Sequence, residues 1–183
     1  MNIAKKYKDL RGAVALKVVQ DFVEIYPEHE GFIKLTDIDG KALNYLDRDW
    51  VQHPDPTRSV GTPDEWRTTL DKYRQNYSSR IELAIWHGEK LCALVLGKPS
   101  RGKLILKINF LEGNHDESPI DGLRLRLATI YAEYFAAALE IQWVGIQSPY
   151  EGAIHLYHDE GYTEPDPFDY ANDALCKSLE GLI

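Results

Sequence analysis

His155 and His158 stand three residues apart, a spacing that puts two imidazoles on one helix face and makes half of a metal site. No recognisable ligand pattern lies near them in sequence, so no metal is expected. Asp37-Ile38-Asp39-Gly40 opens like a calcium loop, but the glycine comes two positions early and no Glu closes the frame, which leaves a turn. The chain has no Gly-x-Ser-x-Gly elbow and no Gly-x-x-x-x-Gly-Lys-Ser/Thr loop, so neither an elbow-borne serine nucleophile nor a P-loop is expected. Cys92 and Cys176 are the two cysteines. Neither carries CxxC spacing or a catalytic signature, and Cys92 falls in an apolar run that reads as core.

Carboxylates gather in two places. Glu112, Asp116, Glu117 and Asp121 mark one loop that holds no Lys or Arg, a charge that opposes anion binding there. Arg124 and Arg126 follow one turn later and offset it in part, while Asp121 also has the chemistry of a helix N-cap. Asp159, Glu160, Glu164, Asp166 and Asp169 form the second group, which would attract a cationic amine and otherwise reads as a solvated face. Trp50, Trp66 and Trp86 suit either a substrate pocket or the core.

The elements that must position these groups follow from periodicity. Leu10, Val14, Leu16, Val18, Val19, Phe22 and Ile25 fall at helical spacings and predict a helix over 10–25, ended by Pro27. Phe32 to Ile38 predicts a strand, Asp39-Gly40 a turn, and Thr62-Pro63-Asp64-Glu65 the cap of a helix running to about Tyr77. Ile81 to Trp86 and Leu91 to Leu96 predict a hairpin across His87-Gly88-Glu89-Lys90. A third strand over Lys103 to Leu111 would put Leu104, Leu106, Ile108 and Phe110 on one face. Beyond the polar loop come a helix over 121–139, a strand over 141–147, a short helix over 151–159 and a last strand over 174–179.

Composition narrows the partners. A chain of 183 residues, 44% apolar and 27% charged, has the size and core of one folded domain spanning 1–183. Its formal net charge of −8 repels phosphate backbones and anionic lipid, so no nucleic acid is expected. No apolar run approaches the ~18 residues that span a bilayer, and no signal-like segment opens the chain. Neither a membrane partner nor an exported location is expected, which points to the cytoplasm.

From Ile81 onward this order of elements resembles the second half of the GCN5-related N-acetyltransferase superfamily. Ala153-Ile154-His155-Leu156-Tyr157-His158-Asp159-Glu160-Gly161-Tyr162 is similar to that family's Ala-x-x-Leu-Tyr-x-x-x-Gly-Phe/Tyr segment, and Asp173 to Leu179 to its last strand. Residues 1–80 match by element order alone. The resemblance implies a mixed α/β fold whose central, twisted, mostly antiparallel sheet is flanked by helices, with the strands near 103–111 and 141–147 splayed into a cleft.

It also implies acetyl transfer from acetyl-coenzyme A to a primary amine, on a small molecule or a peptide. Tyr157 would protonate the departing thiolate, since a phenol is neutral and able to donate. Glu112 stands where the family places a carboxylate or water relay that deprotonates the amine. The cofactor would lie against Phe110, Leu111, Ile120, Gly122, Leu123 and Arg124, held by backbone donors. The pyrophosphate motif Gln/Arg-x-x-Gly-x-Gly/Ala is not kept. With Gly122 in its last place the first is Glu117 and the middle glycine is Ile120; with Gly122 in the middle, the first is Pro119 and the last Arg124. The family's Asn after the fifth strand is also missing, Tyr150 standing three positions before Ala153. A second function follows from these departures: a non-catalytic binding or regulatory module that has lost acetyl-coenzyme A, with a homodimer as one form.

Overall fold

A computed structural model describes residues 2–55 and 61–181. Six strands form one sheet in chain order: β1 (Ile33–Thr36), β2 (Ile81–His87), β3 (Lys90–Pro99), β4 (Leu106–Gly113), β5 (Trp143–Gln147) and β6 (Ala174–Ser178). All neighbours are antiparallel except β4 and β5, which run parallel. The mixed, mostly antiparallel sheet is the expected one.

Helices cover both faces. On one lie α1 (Ile3–Ile25) and α4 (Arg124–Ala138), whose Val14, Val18, Phe22, Leu127, Tyr131 and Phe135 pack on alternate strand residues such as Leu83, Ile85 and Val95. On the other, α2 (Gly40–Arg48) and α3 (Pro63–Asn76) place Ala42, Leu46, Trp66 and Leu70 on Ala84, Trp86, Leu94 and Leu96. Two covered faces explain why β2 and β3 are apolar almost throughout, because both sets of side chains leave water. A short helix, α5 (Ile154–Asp159), links β5 to the final segment. None of the described helices is long and apolar enough to cross a membrane.

Several boundaries differ from the sequence expectation. Asp39-Gly40 is no turn: the Asp39 side chain accepts the Ala42 N–H at 2.9 Å and caps α2, so a dipeptide with turn chemistry opens a helix instead. Helix α1 starts at Ile3, capped by Asn2, seven residues before the apolar stripe. Those first turns are polar and largely exposed. The expected loop over 52–63 falls partly on 56–60, outside the described residues.

The cap of α3 read from sequence is, in the structure, a capping box. Thr62 Oγ1 accepts the Glu65 N–H at 3.4 Å and Glu65 Oε2 accepts the Thr62 N–H at 2.6 Å. Thr62→Ala removes one half of it and should cost about 1 kcal/mol, read as a shift of the urea midpoint with unchanged slope; no shift would make the box ornamental.

Candidate active site

Strands β4 and β5 pair at Leu106–Val144, Lys107–Gly145 and Ile108–Ile146 and then part. β4 continues to Gly113 along β3, whereas β5 stops at Gln147. Residues 109–113 therefore have a strand neighbour on one side alone, and their other edge opens on a cleft. This is the splay that the family resemblance implies.

At the mouth of that cleft β4 carries a bulge. Leu96 opposes Phe110 and Gly97 opposes Ile108, so Asn109 is the extra residue, and its buried Oδ1 has no hydrogen-bond partner among the described residues. The close approach needs a glycine on β3, since a Cβ at Gly97 would collide with the Lys107 carbonyl. The bulge also reverses the faces. Leu106, Ile108 and Leu111 pack with α1 and α4, while Phe110 packs with α2 and α3. The single face expected for Leu104, Leu106, Ile108 and Phe110 is thus corrected, Leu104 being half exposed before the strand begins.

Tyr157 comes to this cleft from α5. With Ala93, Leu111, Gly113, Gly122 and Arg124 it walls a cavity of about 220 Å³. The phenol is 6% exposed, and burial pushes its pKa above the ordinary value, so it is a proton donor through the neutral range. Gly161, at φ +88°, ends α5, and the Tyr162 N–H bonds the Tyr157 carbonyl at 3.0 Å. That fixes the tyrosine's backbone. Tyr162 itself is fully buried, its hydroxyl donating to Glu133 at 3.1 Å.

The other wall is the entry to α4. Gly122 has φ +84°, a left-handed turn that a side chain would strain. Asp121 is not the N-cap: Leu123 holds that place without a side-chain cap, while Asp121 accepts the Ser118 N–H at 3.2 Å and pairs with Arg124 at 2.7 Å. The first amides of α4 thus keep their favourable potential toward an anion.

The acidic loop is better compensated than its sequence suggests. Lys90, from the β2–β3 hairpin, meets Asp116 at 2.7 Å and bonds the Glu117 carbonyl, and this hydrogen bond holds the Asp116 carboxyl below the usual range. Arg124 further donates to the Asn114 carbonyl. Arg126, in contrast, turns toward the Tyr26 ring, 5.9 Å from its centroid.

Of the residues assigned by resemblance, the cavity unites Leu111, Gly122, Arg124 and Tyr157. Phe110 faces the other core, Ile120 is fully buried, and Leu123 packs on the core next to it. The Ile120 N–H is engaged by Ser118 Oγ at 3.3 Å and the Leu123 N–H by the Ile120 carbonyl at 3.0 Å. Glu112 is 4% exposed on the α3 face of β4, where its Oε2 accepts the Trp66 indole N–H at 2.8 Å. It is therefore a buried acid, not a solvated loop residue. Trp50, Trp66 and Trp86 all belong to the core against α2 and α3. Sequence reasoning missed Lys90, whose partner lies 26 residues away and becomes a neighbour through strand pairing.

No protein-family model matches the sequence, and no curated protein does. Solved structures are informative. The chain is similar to a probable acetyltransferase with a TM-score of 0.54 and 16% identity, over 82% of this chain and 95% of that one. It is similar to Ard1 from Thermoplasma volcanium with a TM-score of 0.52 and 15% identity, over 79% and 94%. A dodecameric spermidine N-acetyltransferase from Vibrio cholerae matches with a TM-score of 0.50 and 12% identity, over 84% and 98%. The chain has the GCN5-related N-acetyltransferase fold. Within that fold the free end of β4, through Leu111 and Gly113, and the α5 tyrosine line one cavity.

Proposed function

We propose that this chain transfers an acetyl group from acetyl-coenzyme A to a primary amine of a small molecule or peptide. The observation that carries the reading is that β4, beyond its parting from β5, lends Leu111 and Gly113 to the cavity walled by Tyr157 and Arg124. Open backbone edge along 109–113 offers amide donors and acceptors to an extended, amide-bearing chain, in the way an added strand would use them. The uncapped start of α4 and the Arg124 guanidinium supply positive potential, so the residues present fit a pyrophosphate despite the lost motif.

Acetyl-coenzyme A would bring the acyl group as an activated thioester. This chain's own residues would do the rest. Leu111 and Ala93 exclude water from the cavity, and Tyr157 holds a proton at its hydroxyl for the departing sulfur. The amine would enter from the α3 face, where the Glu112 carboxylate can take up its proton directly or through a water.

Calorimetric titration with acetyl-coenzyme A tests the reading. The expected result is binding at about 1–100 μM, weakened at least tenfold in Arg124→Ala. Silence up to about 10 mM would leave a scaffold that keeps the fold without the cofactor.

A further inference from the structure

A second cavity lies away from the cleft, at the β1 edge of the sheet, and its charge runs against that of the molecule. β1 ends at Thr36, opposite Ala84, so Ile81 to Leu83 of β2 have no strand beside them on that edge. The gap is roofed by the polar first turns of α1 and closed by the end of α3. The resulting cavity measures about 630 Å³, within the range that holds small organic ligands.

Five cationic side chains line it: Lys5, Lys8, Arg11, Arg74 and Arg80. Three carboxylates, Asp37, Asp39 and Glu82, oppose them. A positive surplus results in a chain whose formal net charge is −8. Asp39 is turned to its own helix as the cap of α2. Glu82, 1% exposed, is held between Arg74 and Arg80, two cations on one carboxylate. Arg11 is 4% exposed and gives one edge of its guanidinium to Asp37, with Nε and Nη2 at 2.7 and 2.8 Å. Its Nη1 has no acceptor among the described residues, and neither Lys5 nor Lys8 makes an ion pair among them.

A buried arginine with a free donor edge, set among surplus cations in a roofed cavity, is a recognition element for oxyanions. We propose that this cavity binds a small polyanion, a phosphorylated or polycarboxylate metabolite, separately from the acyl-transfer cleft. Arg11 forms the floor of the site through Nη1, and Lys5 and Lys8 clamp the ligand from α1. The cleft opens along 109–113 on β4, whereas this site sits at the β1 edge on the far side of β2.

The test is a two-dimensional amide NMR titration of the full chain in a phosphate-free buffer, with inorganic pyrophosphate and citrate as separate probes. The expected result is saturable shifts at residues 4–15, 36–39 and 80–83 at submillimolar probe. Lys5→Glu with Lys8→Glu, both exposed, should weaken this binding at least about tenfold while leaving the spectrum folded. A stronger response to pyrophosphate assigns phosphate chemistry and a stronger response to citrate assigns carboxylates, either of which supports the site. Asp37→Asn, which takes the counter-charge and one acceptor from Arg11, gives a second readout: the anion should raise the melting temperature of this variant more than that of the parent. Shifts confined to 111–125, or none at about 10 mM probe, would overturn the proposal and leave the cluster as a staple between α1 and the sheet.

Discussion

Tyr157→Phe is expected to lower acetyl turnover about a hundredfold while cofactor affinity and melting temperature stay near those of the parent. Tyr157 sits in a cavity wall at 6% exposure, and phenylalanine keeps the ring contacts and removes the hydroxyl alone. Burial raises the tyrosine's pKa, and this fixes the sign of the pH dependence. As the proposed general acid the phenol would act when protonated, so raising its pKa moves the loss of activity to higher pH. On the proposed reading the parent should therefore show no alkaline fall assignable to Tyr157 below about pH 10, the ordinary value for a phenol. Steady-state kinetics with kcat and KM separated across pH provide the measurement. An unchanged kcat in the variant would reduce the residue to packing; a raised KM at constant kcat would make it a binding group.

The segment that carries Tyr157 was legible because its information is local. Small and apolar residues at helical spacing, then a glycine at the stop, specify α5 and its left-handed end within ten residues, and the structure has both. The hairpin around Gly88 and the helix cap at Thr62 are legible for the same reason. What escaped depends on pairing across the sheet. The bulge at Asn109 exists as a register shift against Leu96 and Gly97, and nothing within 103–111 alone shows that the apolar period breaks there. The charge of the 112–121 loop was misjudged because Lys90 reaches it from another strand. Helix α2 was missed where Asp39-Gly40 has one local chemistry and two outcomes, a turn or a cap, decided by whether Ala42 and Leu46 find a core to pack on.

Asp166 shows the same lesson in energetic form, and its substitution should have the largest effect on stability. Among the carboxylates that read as a solvated face, it is 2% exposed. Its Oδ2 accepts from Lys107 and, at 3.0 Å, from Asn172, while its Oδ1 accepts the Phe168 and Asp169 N–H groups at 2.9 and 3.2 Å. Lys107 lies opposite Gly145, at the last stretch where β4 and β5 hold together, and reaches Gln147 at 3.3 Å. The network thus fastens the base of the cleft. In Asp166→Asn one oxygen can still serve the turn, but the new amide donor then faces Lys107 and Asn172, both donors. A buried ammonium loses its counter-charge, which should cost about 3–5 kcal/mol and lower the melting temperature by roughly 10 °C.

The pH dependence separates this from lost packing. Burial pushes the Asp166 carboxyl up, but the hydrogen bonds from Lys107, Phe168 and Asn172 outweigh it and hold its pKa below the ordinary value. A depressed folded pKa contributes stability that is fully present above the unfolded value of about 3.9 and is lost as pH falls through the folded one. The gap between parent and variant should therefore be constant at neutral pH and narrow below about pH 4. Paired replacement by Lys107→Met and Asp166→Leu should recover most of the loss, because well-packed apolar groups need no counter-charge. A single-variant cost under about 1 kcal/mol, the scale of an exposed pair, would mean that water reaches Asp166 and that the base of the cleft is held by the β4–β5 backbone bonds instead.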